Sequence, residues 1–271
     1  MEKFDRYLVK PDSKLSLDDI KPDDRSERGE SKAEDQAELA RLSTEINALQ
    51  DILYAQKKHK VLLVLQGMDA SGKDGTVKHV FSECDPLGIR LASFKGPTEE
   101  ELAHDYLWRV HSKVPKKGEI TIFNRSHYED VLIVKVHDWI DDKECKRRFE
   151  HIKDFERMLT ETGTTIIKCY LHISKDEQKE RMYERLNEPH KTWKFNSNDL
   201  VERDLWPKYM KAYEDAMQAT STKDAPWYII PADSKTNRNL LISRILLETL
   251  SNLELNYPPV PESYKTIVVN D

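Results

Sequence analysis

The sequence predicts an α/β fold built on a parallel central sheet. Short apolar runs alternate with amphipathic segments along the chain, the pattern of βαβ units. The first run, Val61-Leu62-Leu63-Val64-Leu65, is continuously apolar and closed by Gly67, as suits a strand buried on both faces. Glycine shows where the chemistry sits: of only 8 in 271 residues, Gly67, Gly72 and Gly75 fall within nine positions. Glycine serves where backbone takes unusual angles or approaches a ligand closely.

Taken in order, residues 10–36 are charged or small with few apolar anchors and read as an irregular arm. Leu39, Leu42, Ile46, Leu49 and Leu53 then recur at helical spacing, predicting a helix over 35–57. After the strand at 61–67 come a helix from about 72 to 83 and a strand at 89–94. Residues 98–113 read as one helix, opened by Thr98 with Glu101 three residues on, a capping box. A strand at 119–124, a helix at 144–162 ended by Gly163, and strands at 164–173 and 226–232 follow; a helix over 236–253 closes the body. Residues 174–213 break the alternation. They form a charged helical insertion too long for a simple crossover, placed to act as a lid. The expected organisation is a single domain over 1–271, with an N-terminal arm and helix to about residue 57.

Composition excludes several classes. Charged residues make up 34% of the chain, against about 25% on average, yet 5 Trp, 11 Tyr and 7 Phe remain to build a core, so the excess is a solvated surface and not disorder. No apolar run reaches the roughly 18 residues of a membrane span, and MEKFDRYLVK lacks a signal-peptide core. Three dispersed cysteines give neither a disulfide framework nor a zinc site. A cytoplasmic address follows. The net charge of −6 argues against non-specific nucleic-acid binding, while leaving room for a local basic groove.

Gly67-Met68-Asp69-Ala70-Ser71-Gly72-Lys73-Asp74 lies between a predicted strand and a predicted helix, with the G-x-x-x-x-G-K spacing of a phosphate-binding loop. Glycines let successive N–H groups converge on phosphate oxygens, the helix N-terminus favours anions, and Lys73 adds a point charge. Asp74 stands where a hydroxyl would ordinarily hold Mg²⁺, so the carboxylate of Asp69 is the expected metal ligand. At the end of the 119–124 strand, Asn124 is a weaker ligand than an acid. Arg125 is placed to neutralise a transferring phosphoryl group, and Glu129 or Asp130 to supply a carboxylate to metal; His127 reads as a packing residue. In the insertion, Arg181 and Arg185 share one helix face and, with Lys191 and Lys194, make a candidate phosphate clamp. Lys78, Lys95 and Arg109 extend the candidate groove. Trp193, Trp206 and Trp227 read as packing.

No guanine-reading N-K-x-D and no G-x-G-x-x-G is present. A phosphate loop, metal carboxylates and an arginine-bearing lid together indicate a small-molecule kinase. No general base stands out, which fits an acceptor that is itself a phosphate, its oxygen already anionic.

The segments GMDASGKDGT, SFKGPTEEELAHDYLWR, FNRSHYED, QKERMYERLNEPHKTWKFNSNDL and TKDAPWYIIPADSKTNRN, in that order over residues 35–257, resemble the family-2 polyphosphate kinases. The resemblance implies a three-layer P-loop kinase-like fold with a helical lid, assembled as a homodimer or homotetramer. It implies reversible transfer of the terminal phosphoryl group of inorganic polyphosphate to a nucleotide, with Mg²⁺ or Mn²⁺. It assigns the phosphates to Lys73 and the backbone of Gly67, Ala70, Ser71, Gly72 and Asp74, the metal to Asp69, the transferring group to Arg125, and lid closure to Arg181 and Arg185. The family often has Asp where this chain has Asn124, and the N-R-S-x-Y-E version resembles the subgroup accepting both AMP and ADP. Two other readings stay open at this point: a nucleoside or nucleotide kinase using ATP, and a non-catalytic protein that binds nucleotide or polyphosphate.

Overall fold

A computed structural model of the chain describes residues 2–11, 13–94 and 96–269. In chain order the main elements are β1 (Leu8–Val9), α1 (Lys32–Gln56), β2 (Lys60–Gln66), α2 (Lys73–Val80), β3 (Ile89–Ser93), α3 (Glu99–Leu102), α4 (Trp108–His111), β4 (Ile120–Asn124), α5 (Ile133–Val136), α6 (Asp142–Glu161), β5 (Thr164–His172), α7 (Lys175–Asn187), α8 (Asn198–Asp204), α9 (Trp206–Thr220), β6 (Trp227–Pro231) and α10 (Lys235–Ser251). The six strands run in the order β1-β6-β5-β2-β4-β3. All neighbours pair parallel except β1, a two-residue strand added antiparallel to the outer edge of β6.

β2 lies between β4 and β5, with Leu65 in register with Asn124 on one side and Cys169 on the other. Val61 to Leu65 are all fully buried, which is why that segment reads as unbroken hydrophobic sequence rather than an alternating one. Helices α1, α2 and α10 pack together against one face, and α5, α6 and α9 against the other. Sequence punctuation sets their ends. Ser31, Asp141, Ser174 and Ser234 cap α1, α6, α7 and α10 by accepting the backbone N–H three residues on. Gly163, at φ +89°, turns the chain out of α6 into β5.

Two sequence expectations change. The helix predicted over 98–113 is two single turns, α3 and α4. The Thr98–Glu101 capping box forms as expected, but it opens only the first of them. Residues 174–213 are not a uniform lid either. Gln178 and Met182 are buried at the base of α7, and Tyr209, Ala212, Tyr213 and Ala216 bury the inner face of α9. The far end of α7 and the connector are largely exposed, while α8 is anchored by buried Glu202, which accepts from Tyr209 Oη at 2.7 Å. The arm is pinned to the body: Arg244 donates to Glu27 at 2.8 Å, and Leu17 N–H donates to Glu214 at 2.7 Å.

Beneath the β4 end, Lys168 of β5 is fully buried, its ammonium 2.6 Å from Glu156 Oε2 and donating to Tyr128 Oη and Thr220 O, each at 2.9 Å. Glu156 also accepts from Tyr128 Oη at 2.8 Å and faces His127 Nε2 at 3.2 Å. His127 is therefore the packing residue its sequence context indicated. Removing one partner of such a pair strands a buried charge. Lys168→Met is expected to cost about 3–5 kcal/mol in urea unfolding, and adding Glu156→Leu to recover part of it; a loss below about 1 kcal/mol would show the pair is not a structural anchor.

Candidate active site

The phosphate loop leaves the C-terminal end of β2, where ligands bind in open α/β sheets. Gly67 and Gly72 have φ of +152° and +105°, and Ala70 also sits in the left-handed region at +62°. Space forbids a side chain at both glycines. A Cβ on Gly67 would lie 2.9 Å from the Leu171 carbonyl oxygen, and one on Gly72 only 1.9 Å from Arg238 Nη1.

Side chains receive the loop carbonyls. Gln178 donates to Asp69 O at 2.9 Å; Arg181 Nη1 donates to Ala70 O and Ser71 O, each at 3.0 Å; Arg238 Nη1 donates to Ser71 O at 3.1 Å. Arg181 spends its remaining donors on Ala232 O, Asp233 O and Glu177. The side chain expected to clamp phosphate from the lid therefore lines the cavity while bracing the loop.

Lys73 opens α2 and is buried, its Nζ 2.7 Å from Gly67 O and 3.2 Å from Met68 O. Burial pushes its pKa down, and Asp69 pulls it back. Arg125, at φ +62°, contacts Asp69 Oδ1 at 2.6 Å. Burial works against its charge, but Glu129 and Asp69 outweigh that and raise its pKa. Asn124 Nδ2 donates to Asp74 Oδ1 at 2.6 Å, so the amide at this position partners an acid of the loop.

A cavity of about 520 Å³ opens over the loop. Asp69, Ala70, Gly72, Lys73 and Asp74 form its floor, Asn124 and Arg125 one side, and Arg181, Arg185, Lys191 and Lys194 the lid side. Gly67 and Ser71 lie buried beneath it. A neighbouring cavity of about 600 Å³ is reached past Phe94, Gly96 and Arg125, and contains Glu129, Asp130 and Arg109. Arg109 stands 3.6 Å from both Glu101 and Asp130. Lys78 is exposed on α2 and lines neither cavity, because its helix face turns to solvent; Lys95 lies outside the described residues. Sequence reasoning missed Phe94, Glu184, Lys235 and Arg238. The last two follow β6 at the start of α10, so their signal was the end of a parallel strand.

For a divalent cation the candidate oxygen donors are the carboxylates of Asp69, in the cavity over the loop, and Glu129, in the neighbouring one. Mg²⁺ keeps several waters and takes one or two carboxylates plus substrate phosphates, a set these residues fit. Among the described residues no group of three or more His, Cys, Asp or Glu forms a closed protein cage, and no helix is long and apolar enough to cross a membrane.

The loop, Arg181, Arg238 and residues 174–213 all lie within a stretch matched by one family model. The model of polyphosphate kinase 2 covers residues 29–257. The chain belongs to the polyphosphate kinase 2 family. It is 52% identical over 264 residues, 97% of this chain and 99% of the relative, to an AMP/ADP-polyphosphate phosphotransferase of Meiothermus ruber. It is 45% identical to an ADP-polyphosphate phosphotransferase of Rhodopseudomonas palustris, over 82% of this chain and 81% of that one. The crystal structure of polyphosphate kinase 2 from Arthrobacter aurescens TC1 superimposes with a TM-score of 0.91 at 43% identity, covering 94% of this chain and 91% of that one. Kinase chemistry on a P-loop α/β scaffold follows from family membership and the site together.

Lys73→Ala removes the buried ammonium at the loop and is expected to lower turnover by about 10²–10³-fold, as for one preorganised donor; steady-state rates of the folded variant check it. Gly72→Ala must expel Arg238 from Ser71 O, so it is expected to lower both activity and melting temperature. An alanine variant with wild-type rate and stability would contradict the close packing at this glycine.

Proposed function

We propose that the enzyme transfers the terminal phosphoryl group of inorganic polyphosphate to AMP and to ADP, reversibly and with Mg²⁺ or Mn²⁺. The observation that carries this reading is Arg125, which lines both cavities. The cavity over the loop has cations from four parts of the chain: Lys73, Arg125, the lid residues Arg185, Lys191 and Lys194, and Lys235 of α10. That wall suits an extended polyanion. Its neighbour is lined by Leu102, Tyr106, Ile133, Val134, Trp139 and Ile140, surfaces that suit a nucleoside. A donor chain in the first cavity and an acceptor in the second would meet at one guanidinium.

Transfer forms a bond from an acceptor phosphate oxygen to the terminal phosphorus and breaks the bridging P–O bond, leaving polyphosphate one unit shorter. The attacking oxygen is already anionic, so positioning and charge neutralisation do the work. Lys73 and the loop N–H groups hold the donor, and Arg125 neutralises the group in transit. Asp69 and Glu129 would hold the cation, which when bound would further neutralise phosphate charge. A homodimer or homotetramer belongs to the same proposal on the family resemblance, and a cytoplasmic address on the composition.

The test is a product run followed by ³¹P NMR. With polyphosphate and Mg²⁺, AMP is expected to yield ADP and then ATP. A run that stops at ADP, or that requires ATP as donor, would overturn the assignment. Asn124→Asp places a second carboxylate within 2.6 Å of Asp74, so the like charges must part or recruit cation. The variant is expected to shift the ratio of kcat/KM for AMP and ADP severalfold while retaining transfer. An unchanged ratio would show that position 124 does not select the acceptor.

A further inference from the structure

On the lid side of the cavity, among Arg181, Arg185, Lys191 and Lys194, stands one carboxylate, that of Glu184 of α7. Its Oε2 lies 3.5 Å from Lys191 Nζ and 3.3 Å from Lys235 Nζ. Lys191 belongs to the lid connector and Lys235 opens α10 in the body. One carboxylate oxygen therefore ties the lid connector to the body. Two lid cations also hold other protein anions: Arg185 pairs with Asp199 at 3.0 Å and Lys191 with Glu188 at 2.8 Å. Glu184 differs from Asp199 and Glu188 in pairing with a cation of the body, Lys235, and in lining the cavity itself.

We propose that Glu184 is a specificity-determining residue for polyphosphate, a counter-anion that holds Lys191 and Lys235 until a phosphate of the substrate replaces it. The proposal rests on the polyphosphate reading above and deepens it. The groups are accessible, with side-chain exposures of 44%, 34% and 55% for Glu184, Lys191 and Lys235, and ion pairs this exposed are weak and exchange readily. A phosphate chain brings more charge per length than one carboxylate, so it wins both lysines. Glu184 then remains as an unpaired like charge beside the chain and lowers its affinity. Short chains, which reach fewer of the other cations, lose proportionally more, so the residue sets a lower bound on the chain length that binds well.

The experiment compares wild type, Glu184→Gln and Lys235→Met using polyphosphate of two defined lengths, with saturating AMP and fixed Mg²⁺. Glu184→Gln is expected to lower the KM for polyphosphate about two- to fivefold, the size of one exposed ion pair, with the larger change for the shorter chain. Lys235→Met breaks the same bridge but removes a phosphate partner, so its KM is expected to rise. Opposite signs from two variants that break one ion pair cannot come from a merely structural role. Without substrate, trypsin is also expected to cut after Lys191 faster in Glu184→Gln than in wild type, with polyphosphate restoring protection. An unchanged or raised KM in Glu184→Gln, or equal cleavage rates, would overturn the counter-anion. Wild-type enzyme that neither binds nor uses polyphosphate would overturn the functional reading itself, a separate and recognisable result.

Discussion

The site depends on how the Ser71 carbonyl is held. Two guanidinium groups from distant parts of the chain, Arg181 of α7 and Arg238 of α10, converge on that one oxygen at 3.0 and 3.1 Å. They fix the peptide with its oxygen behind the loop, which leaves the N–H side to an anion. Gly72 is obligatory for the same reason, since Arg238 occupies the space a Cβ would take. The arrangement is costly. Arg238 is almost fully buried, and burial together with the neighbouring charge of Arg181 pushes its pKa down. Its hydrogen bonds go to a carbonyl and to the Asn239 amide oxygen, both neutral. Positive charge left uncompensated behind a phosphate loop raises the potential where the substrate lands.

The same brace ties the lid to the loop. Arg181 spans from Ala70 and Ser71 to Ala232 and Asp233, and Asp233 in turn accepts the Ser174 N–H that begins α7. The arm closes this junction from outside: Asp233 N–H donates to Pro22 O and His172 Nε2 lies 3.1 Å from Ile20 O. The root of α7 is thus part of the rigid body. The outer segment, residues 187–205, is mostly exposed and carries exposed ion pairs such as Lys191–Glu188, while Glu202 is buried against His137 and Tyr209.

Much of this was legible in the sequence, and what was not has physical reasons. The loop could be read because its spacing is local: strand, glycines, lysine and helix are consecutive. The parallel sheet could be read because burial on both faces makes its strands uniformly apolar. β1 could not, since two residues carry no periodicity and pair only because the arm crosses β6. The break between α3 and α4 was hidden by a cap whose chemistry is satisfied in a single turn. Helical spacing placed Arg181 and Arg185 on one face. It could not show that tertiary contacts consume the donors of Arg181 while Arg185 pairs with Asp199 at the cavity. Lys235, Arg238 and Glu184 are ordinary charged helix residues until packing brings α7 and α10 to the loop.

The central claim is that the braced loop presents its amide groups to the phosphates of the substrate. A TROSY titration of ¹⁵N-labelled wild-type enzyme with inorganic triphosphate tests it without altering any residue. The account predicts that the amide resonances of residues 69–75 shift first and furthest, in step with those of Lys191 and Lys194. Saturable shifts confined to other parts of the molecule, with the loop amides unmoved, would contradict it.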